Sequence, residues 1–273
     1  MTGHELRDRG GLRVLAWPAL DDHPVDALVT TRHGGVSAGD YATLNLSFGV
    51  GDRPEDVLEN RRRAAAALGA DLADVVFGKQ VHGAVARVAG RADRGAGAAV
   101  AGAGAGEADA LVTSDPGTVL GVLVADCVPI VLYDPAAHVL ACVHAGWRGT
   151  VAGVTGAALE AMAGLGTRPA DVIAGIGPAI GPDRYQVGED VAAAVRDCFG
   201  AHAPLVLRPD GTGRWLFDLW SASRLLLREA GVADHHIHVA AVPTGADFFS
   251  DRSARPCGRF GLFARLHPRD GAP

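Results

Sequence analysis

Two imidazoles and one thiol stand where this chain could do chemistry: His82, Cys127 and His144. They lie in Lys79-Gln-Val-His-Gly83, Ala125-Asp-Cys127 and His144-Ala-Gly-Trp-Arg-Gly149. Each sits at the end of an apolar run, beside a Gly or Asp turn. Two imidazoles and a thiolate suit Zn²⁺. Three protein ligands leave a fourth position for water, whose pKa zinc lowers towards ~7. The same atoms without a metal make a Cys–His pair, with Cys127 as nucleophile and His144 as base. In a third reading the residues are unrelated and Cys127 is a small buried hydrophobe. The three are scattered along the chain, and their spacing alone leaves all three readings open.

The elements that must position them can be read from the apolar runs. Residues 119–125 and 128–133 flank Ala125-Asp-Cys127, and 139–143 runs into His144. Short β-branched runs bounded by Asp-Pro or Gly predict buried strands. Cys142 precedes His144 by two residues, so both face the same side of a strand, and Cys142 is expected in the core. Asp126 points away from Cys127 in a regular strand. A turn there would free it to orient an imidazole or act as a general acid or base. Further strands are predicted at 25–31, 84–88, 108–113, 171–177, 236–242 and at the C-terminal end. Helices are predicted at 52–69, 150–165, 189–199 and 217–231. The helix at 52–69 has Pro54 near its start and Gly69 as its stop, and its arginine run reads as a solvated face. Residues 89–107, rich in Gly and Ala, read as a flexible surface loop. The order is too irregular for a βαβ barrel or a Rossmann fold, and no G-x-G-x-x-G follows a first strand.

Composition narrows the class. The chain has 273 residues, 48% of them hydrophobic, with a net charge of −6. That balance argues against nucleic acid and anionic membrane partners. No apolar run approaches the ~20 residues of a membrane span, and the N-terminal stretch has no apolar signal core. A cytoplasmic protein is expected. The four cysteines are widely spaced without CxxC, which disfavours disulfides. Lys79 is the only lysine against 24 arginines, a hint that an ammonium is wanted there. Thr30-Thr-Arg-His-Gly-Gly-Val-Ser37 follows a strand, and its turn could present backbone N–H groups and Arg32 to an anion.

Taken together, these motifs resemble the YfiH family. Besides those quoted, Leu44-Asn-Leu46, Asn60-Arg61, Ala108-Asp-Ala110, Gly177-Pro-Ala-Ile-Gly181 and Phe248-Phe-Ser250 carry the resemblance, in order and over nearly the whole chain. Members of that family were long labelled polyphenol oxidases or laccase-like proteins. They are understood as purine nucleoside phosphorylases that also deaminate adenosine. The resemblance implies one α/β (α+β) layered catalytic domain over residues 1–273, with a mixed β-sheet core flanked by helices, similar to toxin deamidases. It implies adenosine, inosine, guanosine and 5′-methylthioadenosine as substrates, with phosphate yielding ribose 1-phosphate and free base. It places the metal ligands, with zinc favoured over copper, on His82, Cys127 and His144.

For that chemistry Arg32, Lys79 and Arg148 are the expected phosphate cations. Asn45 and Gln80 are expected at base or ribose edges, and Asp126 as the acid that protonates leaving ammonia. The partners expected are nucleosides and phosphate, and the oligomeric state a monomer or homodimer. Two departures bear on specificity: Pro243-Thr244 replaces a usual Cys-Thr, and Ser250-Asp-Arg-Ser253 replaces Ser-Tyr-Arg-Arg. The competing classes are a metal-free Cys–His hydrolase, a copper phenol oxidase and a non-catalytic binding protein. The oxidase needs several copper ligands, commonly H-x-H pairs, and only His236 and His238 have that spacing.

Overall fold

Alternate residues of a strand face opposite sides, and here the alternation sorts side chains into separate cores. The computed structural model describes residues 3–102 and 104–269. The chain opens with β1 (Glu5–Arg9), β2 (Leu12–Ala16) and β3 (Val25–Thr30), then α1 (Pro54–Ala67). β4 (Val75–Phe77), β5 (Ala86–Val88), β6 (Ala110–Thr113), β7 (Val119–Val124), β8 (Val128–Asp134) and β9 (Val139–Ala145) follow. Next come α2 (Trp147–Val151), α3 (Val154–Ala163), β10 (Ile173–Ile176), β11 (Gln186–Gly188) and α4 (Glu189–Phe199). The chain closes with β12 (Leu207–Pro209), β13 (Arg214–Phe217), α5 (Leu219–Glu229), β14 (Ile237–Val239) and β15 (Phe260–Leu266).

The first large sheet has the order β1-β2-β3-β15-β7-β4, and the second β14-β10-β8-β9-β6-β5. Both are mixed: pairing is antiparallel except for β4/β7, β10/β14 and β5/β6. The sheets stack face to face. Leu15, Val122 and Leu262 of the first meet Val131, Leu140 and Cys142 of the second in a shared core. The outer face of the first sheet packs Val14, Phe77 and Phe263 on Ala64, Ala65 and Leu68 at the end of α1. The outer face of the second packs Ile130, Leu132 and Val143 on α3, α4 and α5. The result is a layered α+β architecture with mixed sheets between helices. Among the described residues no helix is long and apolar enough to cross a membrane.

Strand direction brings the site together. β4 and β7 run parallel, so the segments that follow them leave the first sheet at the same end. Each segment crosses into the second sheet, as β5 and β8. β9 runs antiparallel to β8 and returns to that end, where Pro129 pairs with His144 and Val128 with Ala145. Lys79 to His82, Ala125 to Cys127 and the end of β9 thus meet where the two sheets part.

Three local expectations need correction. The helix expected over 150–165 is two helices, broken where Gly153 adopts φ +86°. The arginine run of α1 is not wholly a solvated face, because Arg61 is 4% exposed and donates to the carbonyls of Leu46, Gly97 and Ala98. A third, small sheet, β11-β13-β12, was not anticipated. The Gly/Ala stretch at 89–107 is tied to β4, with Phe77 N–H donating to Ala96 and Ala105 N–H donating to Phe77.

Candidate metal centre

His144 ends β9 with its ring buried between the sheets, 2% exposed. Its Nδ1 lies 2.8 Å from Asp109 Oδ1, and its backbone N–H donates to the Asp109 carbonyl at 2.7 Å. Asp109 immediately precedes β6 and is fully buried. Its carboxylate also accepts from the backbone N–H groups of Val81, His82 and Gly83 at 3.2, 3.0 and 2.8 Å. One carboxylate therefore sets the ring of His144 and the turn carrying His82, which sits at φ +59°. With Nδ1 engaged, His144 presents Nε2 to the site, the arrangement usual for a metal-ligating imidazole.

The ligand atoms of His82, Cys127 and His144 all lie within 4.8 Å of one another, the one such group among the described residues. The two rings meet edge to face with centroids 4.7 Å apart. His236 and His238, the H-x-H pair, belong to no such group. Gly146 permits this approach: a Cβ there would lie 2.8 Å from Cys127 Sγ and 3.1 Å from His82 Cδ2.

The electrostatics fit a thiolate site. Burial alone would raise the Cys127 thiol, but charge and hydrogen bonding from His144 and then His82 outweigh it and bring it down to about 6. For His144 burial works downwards, while Cys127 and Asp109 raise it to about 9. Cys142, expected in the core, is fully buried there, and burial holds its thiol well above the ordinary range. One thiolate and two imidazoles, one with a carboxylate behind it, form a donor set that suits zinc and leaves an open position.

His82, Cys127 and His144 line a cleft of about 780 Å³. Of the expected substrate residues, Lys79, Gln80 and Arg148 line it. Lys79 pairs with Glu107 at 3.0 Å, and the Arg148 guanidinium lies 4.5 Å from the Trp147 ring centroid. The Gln80 amide is engaged by both backbone groups of Leu123, at 2.7 and 2.8 Å, and so extends the edge of β7. Arg32 and Asn45 do not line the cleft. Arg32 donates to the Ala42 carbonyl and lies over Phe249. Asn45 is fully buried and braces Ser47, Asp52 and Arg259.

Asp126, at φ +83°, does turn out of the strand. Its carboxylate accepts from Thr244 Oγ1 and from Arg252 N–H at 2.5 and 2.7 Å, so it fastens the C-terminal wall of the cleft to the Cys127 turn. That wall brings in Arg252, Arg255 and Arg259 around Asp251; Asp251 and Arg252 lie in the segment expected to bear on specificity, while Arg255 and Arg259 were not foreseen. Tyr185 faces them, its phenol raised by burial and by the nearby Cys127 and Asp126. The signal for these residues was three arginines within 252–259, in a stretch that also holds Ser, Pro and Gly.

Residues 26–267 match the family described as multi-copper polyphenol oxidoreductase laccase. The chain belongs to the YfiH family. It is 42% identical over 262 residues to the purine nucleoside phosphorylase of Deinococcus radiodurans, covering 96% of each chain. It is 36% identical over 234 residues to adenosine deaminase RL5 from an unknown prokaryotic organism, covering 86% of this chain and 89% of that one. The crystal structure of YfiH from Bacillus licheniformis superposes with a TM-score of 0.92 at 31% identity, covering 97% of this chain and all of the other. The YfiH-family relatives thus include proteins named for phosphorolysis and for deamination.

Proposed function

We propose that this YfiH-family chain is a zinc-dependent purine nucleoside phosphorylase that also deaminates adenosine. The observation that carries the reading is the convergence of His82, Cys127 and His144 on the floor of a cation-lined cleft. These three residues would hold the zinc, which when bound supplies Lewis-acid activation there. Asp109 keeps His144 in the tautomer that presents Nε2. In phosphorolysis a phosphate oxygen bonds to C1′ as the C1′–N9 bond breaks, and the electron pair leaves with the purine, which takes up a proton. Little covalent help is needed beyond placing phosphate and stabilising the departing base. Arg148 and Lys79 are the cations assigned to the attacking phosphate. Trp147 and Tyr185 offer aromatic faces to the purine. In deamination water adds at C6 and ammonia leaves, giving inosine. Adenosine, inosine, guanosine and 5′-methylthioadenosine are the proposed substrates.

A second reading has its own observation. Cys127, His144 and Asp109 stand in the relation of nucleophile, base and orienting acid, as a metal-free hydrolase requires. The convergence of His82 favours the metal, since that triad gives a second imidazole no role. Chromatography after incubation with adenosine separates the readings. Phosphorylase activity yields adenine and ribose 1-phosphate only with phosphate, and deaminase activity yields inosine with or without it. No conversion of adenosine, inosine or methylthioadenosine by zinc-replete protein would refute the proposal.

A further inference from the structure

Beside the cleft lies a smaller cavity of about 200 Å³, and apart from Lys79 on the shared wall the reaction above assigns no role to its cations. The two share a wall formed by Ser47, Gly49, Gly78, Lys79, Gln80 and Leu123. At the base of the smaller one is Arg61, from the interior of α1 and only 4% exposed. Its guanidinium carbon lies 4.3 Å from the Phe48 ring centroid and 4.4 Å from that of Phe77. Nε donates to Leu46 O at 2.7 Å, and Nη1 donates to Gly97 O and Ala98 O at 2.6 and 2.9 Å. These carbonyls solvate the group without neutralising it. Among the described residues no carboxylate pairs with Arg61, and its Nη2 hydrogens have no protein acceptor. None of the residues lining the cavity is acidic.

A buried cation without a counter-ion is unfavourable, and a guanidinium with an unused edge is shaped for an oxyanion. Burial lowers the Arg61 pKa, to about 10, which leaves the cation charged at neutral pH. The cavity admits a small anion but not a nucleoside together with it. Lys79, which lines both cavities, adds a second cation at the rim.

We infer that this cavity is an oxyanion subsite that takes inorganic phosphate on Arg61 Nη2, with Lys79 at its mouth. The phosphoryl head of a phosphate ester has the same chemistry, and the test separates the two. The inference rests on the cavity and not on the phosphorylase reading, so either can fail alone.

Inorganic phosphate is titrated calorimetrically into the full chain and its variants. Binding is expected in wild type and in Cys127→Ala, which leaves every cation in place, and Arg148→Gln, which removes a cation assigned to the cleft phosphate, should keep the part of the binding that depends on Arg61. Arg61→Gln should weaken it about tenfold or more. Val100→Glu provides a variant that spares the core, because Val100 lines the cavity yet is 64% exposed. Its carboxylate would serve as counter-ion to Arg61 and should also suppress phosphate binding. Full binding in folded Arg61→Gln or in Val100→Glu would overturn the subsite, as would loss of all binding in Arg148→Gln. Binding of ribose 5-phosphate with none of inorganic phosphate would overturn the free-phosphate assignment.

Discussion

Asp109 is the residue on which two of the three proposed ligands, His82 and His144, depend. It orients the His144 ring and accepts three backbone N–H bonds from the His82 turn. Asp109→Asn keeps the shape but replaces one acceptor with a donor. Zinc affinity is expected to fall roughly 10–100-fold, as for other carboxylates behind a ligating imidazole, measured by competition with a chromophoric chelator. Cys127 provides a second test in metal-free protein. Its thiol is lowered to about 6, so the reactive thiolate dominates above that pH. Alkylation by iodoacetamide should rise through pH about 6, well below the ~8.5 of an ordinary cysteine, and zinc should suppress it. The linkage has a definite sign. Stabilisation from the depressed thiol is lost as pH falls through about 6, and that from the raised His144 is lost as pH rises through about 9. Metal-free stability should therefore be highest between those values, followed by thermal unfolding across pH. At this scale residue type and strand-end position singled out His82, Cys127 and His144, whose ligand atoms do converge, while their spacing left the chemistry open and only the family resemblance pointed to a metal. Arg32 and Asn45 misled because a polar side chain beside a glycine turn is as useful to backbone carbonyls and amides as to a substrate. Asp109 lay inside a quoted motif, but its role comes from contacts with residues some 26 to 35 positions away.

The strands of the central stretch and the helices α1, α4 and α5 could be read from periodicity and caps. Asp218 caps α5 by accepting from Ser221 N–H, and Pro54 opens α1. The partition of β7 and β8 between different sheets was not legible, because both are apolar runs and only long-range pairing separates them. The small sheet β11-β13-β12 was missed because its strands have three or four residues and no alternation longer than that. The turn between β7 and β8 carries a prediction of its own. Asp126→Ala releases Thr244 and the Arg252 backbone, loosening the arginine-bearing wall while leaving the metal ligands in place. KM for adenosine should rise several-fold, whereas zinc content should not change. Steady-state kinetics with metal analysis on one preparation checks both. Loss of zinc together with activity would make Asp126 part of the metal centre instead.

Across the whole molecule, the metal would tie together three segments at the end where the stacked sheets part. Two of them cross from one sheet to the other, and the third closes β9. A ligand that binds only the folded chain stabilises it by mass action, about 2.7 kcal/mol at a hundredfold excess over Kd. Removing zinc with a chelator should therefore lower Tm by several degrees, and adding zinc should restore it. Cys127→Ala should unfold at the chelated Tm whether or not zinc is present.

The central claim is that one metal centre serves both reactions. Zinc is added in steps to metal-stripped protein with adenosine and phosphate present, and adenine and inosine are quantified by chromatography. The account predicts that both products rise together and saturate at one zinc per chain. Products formed at full rate without zinc, or one product responding to zinc while the other ignores it, would contradict it.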